Sequence, residues 1–409
     1  MTENSDIQSN SESNKRIFIV DPACVLPFGH AITALNHFRE YCKDFYDEVI
    51  CIASLKLDQE ISASNNFERR FHYLYNESIP IMSRFSFEKY ICSLPFYKKD
   101  AADPFESIST SDAANIIYDY SIGRGDTIFF PGADYYGLYG FISAVIDIEV
   151  SRRPRILIRF IGVLEGASPF KNDALSHILK MINKAVKQGV DIRLSAETPI
   201  YSNYISQHTE IFTYVTPYPE TSRQLPIHEK EYFTILCAGS ARIDKGFNHL
   251  FDIMKSIINA NSRKKFRLVT QTLPYAGNEQ WDSYTSQLYA LKGVELLEPV
   301  ISDSKMRSLY HQCDIVLLPY AVDVYKYRGS AVMMEAASIG RLCVTLSGSA
   351  FAQQVNYYNL GDVVDSISEI PRAVLSLADY DATTMANRIV QARQRFYLDV
   401  KAAYSAWFK

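Results

Sequence analysis

The sequence predicts an α/β protein built from two doubly wound parallel sheets that face each other across a cleft. Three observations carry this. Short apolar strands alternate with amphipathic helices from Arg16 to about Glu197. The alternation stops at PYPETSRQLPIHEKEY (Pro217–Tyr232), a stretch rich in proline and charge, and then resumes at FTILCAGS (Phe233–Ser240). At 409 residues the chain also exceeds what one hydrophobic core usually serves.

In order, RIFIVDPA (Arg16–Ala23) is an apolar strand that stops at a proline. The segment from Gly29 to about Lys43 sets Ile32, Leu35 and Phe38 at helical spacing, and EVICIAS (Glu48–Ser54) is a second strand. This β-α-β unit is the seed of a parallel sheet. DTIFFPG (Asp126–Gly132), RILIRFIG (Arg155–Gly162) and DIRLSAE (Asp191–Glu197) continue it. Between the last two, a helix over roughly Ala174–Gln188 has Asp173 as N-cap and Gly189 as stop, with Leu175, Ile178, Leu179 and Ile182 along one side. Beyond the break come a strand at Phe233–Ser240 and a helix at Phe247–Ile258, with Phe247, Leu250, Phe251, Met254 and Ile258 on one face. FRLVT, VELLEP, DIVLLPY and LCVTL supply further strands, and a long helical pattern closes the chain. The expected organisation is a disordered tail (1–14), a first Rossmann-like domain (15–222), a second Rossmann-like domain (223–382), and a terminal helix (383–409) packing back towards the first domain.

Composition narrows the function. The chain is 47% hydrophobic and 22% charged, as ordinary globular proteins are, and its net charge of −4 gives no general attraction to nucleic acid. The 28 tyrosines are taken mainly as core and interface residues, with Trp281 and Trp407. The seven cysteines, Cys24, Cys42, Cys51, Cys92, Cys237, Cys313 and Cys343, are scattered and form no CxxC pair. That speaks against a zinc or redox motif and for free thiols in a reducing cytosol. The polar start MTENSDIQSNSESNK lacks the apolar core of a signal peptide, and no apolar run is long enough to span a membrane.

The chemistry concentrates in DIVLLPYAVDVYKYRGSAVMMEAASIGRLCVT (Asp314–Thr345). A buried strand ends at Pro319-Tyr320, and Gly329-Ser330 leads straight into a helix carrying Glu335. The first turn of such a helix exposes backbone N–H groups to anionic oxygens. A carboxylate one to two turns on can reach a sugar hydroxyl beside that anion, and phosphate with hydroxyl suggests a nucleotide. The second domain opens with a strand and GSARIDKGF (Gly239–Phe247), where Gly239 and Ser240 permit a close turn and Arg242 and Lys245 stand three apart. A guanidinium fork and an ammonium suit a diphosphate. The alternative is a pair of solvated cations, but cations at a helix N-terminus oppose its dipole.

These residues carry a resemblance. G-S-A-R-x-x-K-G after a strand, followed by L-P-Y…Y-x-Y-R-G-S-A-V-x-x-E-A-x-x-x-G, is similar to the retaining glycosyltransferases of the GT-B fold, and more narrowly to their large family 4 type. The likeness runs from about Phe233 to Val355, with the N-terminal half matching only in outline. It implies two Rossmann-like domains, a diphosphate held by Arg242 and Lys245, amides from Gly329, Ser330 and Ala331, and the donor ribose bonded by Glu335. The first acid of the family's E-x7-E motif falls at Tyr327, which has no carboxylate, so Arg328 becomes a candidate for phosphate or sugar contact. In such enzymes cations and helix-end amides stabilise the departing diphosphate. No divalent metal or other cofactor is then expected, nor is a DxD metal motif seen near a strand end. Retention implies front-face attack in which the leaving phosphate accepts the acceptor's proton, with no dedicated protein base.

In the N-terminal half, Gly29 and His30 lie between the first strand and first helix. The resemblance places this loop over phosphates and acceptor, so His30 is either a donor-sugar or acceptor contact or a structural helix-start histidine. Asp134 and Tyr135 follow the DTIFFPG strand, while Arg159 and Glu165 flank RFIGVLEG. All four are acceptor candidates, each with a structural alternative, and Glu197 has no assigned role. Lys180, Lys184 and Lys187 share one side of a helix, which is either a solvated face or a dock for anionic lipid. The expectation is a cytoplasmic, metal-independent transferase, with peripheral contact at the inner face of the membrane. It takes a UDP- or GDP-sugar and a glycan, lipid-linked or small-molecule acceptor, as in surface-polysaccharide synthesis. The alternatives are a degenerate transferase serving as a scaffold and a sugar-nucleotide epimerase.

Overall fold

The computed structural model describes residues 15–25, 30–72, 103–162, 173–219, 231–239, 241–260, 262–272 and 279–409, without the side chains of His30, Pro104 and Asp303. The tail 1–14, Gly29, Cys92, Glu165, Ser240 and most of the expected linker lie outside them. The chain divides into two compact units. The first is formed by Met1–Phe160, Leu164–Leu194 and His208–Phe212, and the second by Ile161–Val163, Ser195–Gln207 and Thr213–Lys409.

Two sheets form. The first has seven strands, β1 (Arg16–Asp21), β2 (Glu48–Ser54), β3 (Phe67–Phe71), β4 (Thr127–Phe130), β5 (Arg155–Phe160), β6 (Ile192–Ala196) and β7 (Thr213–Val215), in the order β3-β2-β1-β4-β5-β6-β7. The second has six, β8 (Tyr232–Cys237), β9 (Lys265–Gln271), β10 (Val294–Leu297), β11 (Ile315–Leu318), β12 (Leu342–Leu346) and β13 (Gly361–Val364), ordered β10-β9-β8-β11-β12-β13. All five neighbouring pairs of the second sheet are parallel, as are β1 with β2 and β4, β2 with β3, and β4 with β5. Every residue of β4, β11 and β12 is buried, because helices cover both faces and leave no polar side to alternate. Two doubly wound α/β sheets are what the strand–helix alternation predicts.

Each sheet therefore winds outward in two directions from its first strand. In the first sheet the reversal falls between β1 and β4, and in the second between β8 and β11. At such a switch point the loops leaving the carboxyl ends of adjacent strands diverge and open a crevice.

The helix Ala174–Lys187 forms as expected, with Asp173 accepting from Ser176 N–H at 3.1 Å and Ile178, Leu179 and Ile182 buried. The helix expected at Phe247 begins instead at Leu250, behind two 3₁₀ turns at Ile243–Lys245 and Phe247–His249. Gly246, at φ +78°, separates them, and this left-handed residue delays the helix. The terminal helix Ala382–Phe408 belongs to the second unit, where Arg393 Nε donates to Ser338 O at 2.6 Å and Tyr404 Oη to Pro217 O at 3.0 Å. Trp407 is fully buried, and Trp281 packs against the core of the second unit. The six described cysteines are buried thiols. Among the described residues no helix is long and apolar enough to cross a membrane.

Candidate nucleotide-sugar site

The loop leaving β8 and the loop leaving β11 are interlocked. Ala321 N–H donates to Asp244 O at 2.9 Å, and a Cβ on Gly246 would overlap the carbonyl oxygen of Pro319. Only glycine lets the two backbones approach this closely. The consequence is that the two motifs, far apart in sequence, share one end of the sheet.

Lys245 folds back over Gly239: a Cβ there would lie 2.8 Å from its Nζ, and Gly239 itself has φ +88°. The Nζ stands 5.7 Å from the centroid of the Tyr320 ring. Burial, and then the charge of Arg242, hold the Lys245 pKa below its ordinary value, while Cys237, Asp244 and Glu335 oppose them. An ammonium in this setting is one that an arriving anion would stabilise. Arg242 is half-exposed and gripped at both ends of its fork, Nε to Asp244 Oδ1 at 2.8 Å and Nη2 to Oδ2 at 2.5 Å, with Tyr325 Oη 3.0 Å from Nη2. Asp244 and Tyr325, which sequence reasoning passed over, thus fix the direction of the guanidinium.

The helix after β11 runs from Ala331 to Ile339. Ser330 is its N-cap, with Oγ accepting from Met333 N–H at 3.2 Å, and the left-handed Gly340 ends it. The N–H groups of its first residues have no partner within the helix, so this end keeps the positive character expected of it. Val332, Met333, Met334, Ala336 and Ala337 are buried, and Glu335 alone of these inner positions is partly exposed. Its Oε2 accepts from Tyr310 Oη at 2.9 Å. Tyr310 is buried, and burial together with Glu335 pushes its pKa well up, so it remains a donor. Tyr310 comes from the helix Asp303–Gln312, and nothing in its sequence spacing points to Glu335.

Tyr327, at the position where the resemblance expects an acid, has its ring 4.8 Å from Tyr204 and 5.5 Å from Tyr201, between centroids. Its carbonyl accepts from Thr198 Oγ1 at 3.2 Å, and Arg328 Nε donates to Gly162 O at 3.3 Å. Gly162, at φ +76°, lies so near Tyr327 that a Cβ would come within 2.7 Å of its backbone. Gly162, Thr198, Tyr201 and Tyr204 thus fasten the loop at Tyr327 and Arg328 inside the second unit.

At the corresponding end of the first sheet, the acceptor candidates Asp134, Tyr135 and Arg159 each hold a hydrogen bond within the fold. Asp134 is buried and caps the helix Tyr135–Ile146, accepting from Gly137 N–H at 2.9 Å. Tyr135 is buried, with Oη 2.6 Å from Glu106 Oε1 and 2.8 Å from His177 Nδ1. Arg159, 2% exposed, donates to Pro131 O at 3.0 Å. Asp21, at the end of β1, escaped sequence reasoning: burial, with the nearby Asp134 charge, raises its pKa to about 7, and burial raises that of Asp134 to about 6. Lys180 and Lys184 are exposed, and Lys187 pairs with Glu210 at 2.9 Å.

Comparison with known proteins bears on the second sheet and on the fold. Residues 232–380 match the family model of Glycosyl transferases group 1, a span that holds both interlocked loops, Glu335 and Tyr310. No curated protein matches the chain by sequence. Solved structures match it along nearly its whole length. A glycosyltransferase from Rickettsia africae shares 12% identity at a TM-score of 0.61, covering 96% of this chain and 94% of its own. The Anabaena protein HepE, solved in complex with UDP and glucose, gives 13% and 0.62 with coverage of 96% and 99%. Sucrose-phosphate synthase from Thermosynechococcus elongatus gives 13% and 0.60, covering 96% of both. The chain has the two-sheet fold of GT-B glycosyltransferases, and residues 232–380 match the glycosyltransferase group 1 model.

Proposed function

We propose that this chain is a retaining, metal-independent glycosyltransferase that takes a UDP- or GDP-sugar and delivers its sugar to a glycan, lipid-linked or small-molecule acceptor in glycoconjugate synthesis. One observation carries the reading: the interlock of the β8 and β11 loops sets Arg242, Lys245 and the N-terminus of the helix Ala331–Ile339 at one switch point, with Glu335 on that helix. A diphosphate at this point meets two cations and a helix dipole, the groups that stabilise charge developing on a leaving nucleotide. Glu335, which accepts from Tyr310, is the group we assign to a ribose hydroxyl. The UDP and glucose in the Anabaena structure favour a uridine donor here. Sugar departure with same-face attack lets the leaving phosphate take the acceptor's proton, which requires no further base. We place the enzyme in the cytoplasm with peripheral contact at a membrane through the exposed Lys180 and Lys184.

The test is the double variant Arg242→Ala/Lys245→Ala. Losing a single preorganised donor costs roughly 100- to 1,000-fold in rate, so removing both is expected to lower turnover of the sugar nucleotide by roughly 1,000-fold or more. The circular-dichroism spectrum should be unchanged. Turnover within a few-fold of wild type by a folded double variant overturns the diphosphate assignment.

A further inference from the structure

Two residues on from Tyr327, where an acid was expected, a carboxylate arrives from another part of the chain. Glu197 leaves the end of β6, and its carboxylate lies where the side chain of residue 329 would stand: a Cβ on Gly329 would overlap its Cδ and Oε2. Glu197 is 7% exposed. Its backbone is pinned on both sides, Gln354 Nε2 donating to its carbonyl at 3.1 Å and Thr198 capping the helix Pro199–Ser206 while bonding the carbonyl of Tyr327. The side chain is therefore aimed by fixed backbone at the turn that opens the helix Ala331–Ile339.

We propose that Glu197 is the sugar-facing acid of the donor site, accepting a hydroxyl of the transferred sugar beside the diphosphate. This rests on the donor-site reading above. The electrostatics select the role. A carboxylate at a helix N-terminus competes with a diphosphate for the same positive end, so Glu197 opposes phosphate binding and favours a ligand that also brings hydroxyl donors. A sugar attached to the diphosphate brings hydroxyl groups to this place. The absence of a side chain at Gly329 is what leaves the carboxylate room.

The experiment compares UDP with UDP-glucose, or GDP with GDP-mannose where the guanine nucleotide is the one bound. Titration calorimetry gives nucleotide affinity, and release of the nucleoside diphosphate gives turnover of the sugar nucleotide. Glu197→Gln is expected to bind the free nucleotide as tightly as wild type or tighter, while kcat/KM for the sugar nucleotide falls roughly 10- to 100-fold, the range for one hydrogen bond to a charged group. Glu197→Ala, which removes the acceptor altogether, is expected to give the same split. Unchanged turnover in both variants overturns the assignment, and so does an equal loss of nucleotide and sugar-nucleotide binding, which marks a structural role. If the wild-type chain binds neither UDP nor GDP, the donor-site reading falls and takes this assignment with it.

Discussion

The two sheets share a strand order and a point of reversal, yet the ends of their central strands carry opposite chemistry. Between β1 and β4 stand two buried acids, Asp21 and Asp134, both holding protons more tightly than ordinary carboxyls. Between β8 and β11 stand Arg242, Lys245 and the N-terminus of a helix. The first would repel a diphosphate and the second would hold one. Backbone topology supplies the crevice in both cases; the few residues of the loops decide what enters it.

The largest expected effect comes from breaking the interlock that creates this contrast. Gly246→Ala must place a Cβ in left-handed backbone and against Pro319. The two penalties together are worth about 2–5 kcal/mol of stability. Chemical denaturation is expected to show that loss, and thermal stabilisation by UDP or GDP is expected to disappear with it. Retained stabilisation would show that the loops need not be locked.

The acid pair can be set against the cationic site by pH. In the unfolded chain Asp21 and Asp134 ionise near 3.8, whereas the fold keeps them protonated to about 7 and about 6. From pH 4 to 7 the unfolded state thus binds fewer protons, and these groups make stability fall as pH rises, levelling off above 7. At about 1.4 kcal/mol per pKa unit the change is on the order of a few kcal/mol. It is read as the difference between wild type and Asp21→Asn across that window. A difference that does not vary with pH contradicts the buried pair.

The smallest effect sharpens the cationic side. Tyr310→Phe removes the hydroxyl that aims Glu335, at a cost of about 1 kcal/mol, or roughly fivefold in nucleotide affinity. Calorimetry should show that loss in a variant that melts close to wild type. An unchanged affinity would separate Glu335 from the ribose.

The sequence carried the alternation of strands and helices clearly, because strands buried on both faces read as apolar runs such as TIFF and IVLL. It was weaker where polar residues dilute the pattern. The strand FERRF at Phe67–Phe71 and the helix PFESISTSDAANIIYD at Pro104–Asp119 escaped notice, as did the short strands β7 and β13. The candidates Arg242, Lys245 and Glu335 were read from two motifs, and strand order sets those motifs at the ends of adjacent strands. Asp244 orients Arg242 from two residues away and was there to be seen. Tyr310 and Glu197 were not, since each reaches its partner across a gap in sequence that only the folded chain closes.

The central claim is that the β8–β11 switch point is a nucleoside-diphosphate site. Calorimetric titration of UDP and GDP into the full-length chain and into Arg242→Ala/Lys245→Ala, each with and without EDTA, tests it most directly. The account predicts that wild type binds one of the two equally well with or without chelator, and that the folded double variant binds neither. Equal affinity in both proteins, or no binding by wild type, would contradict it.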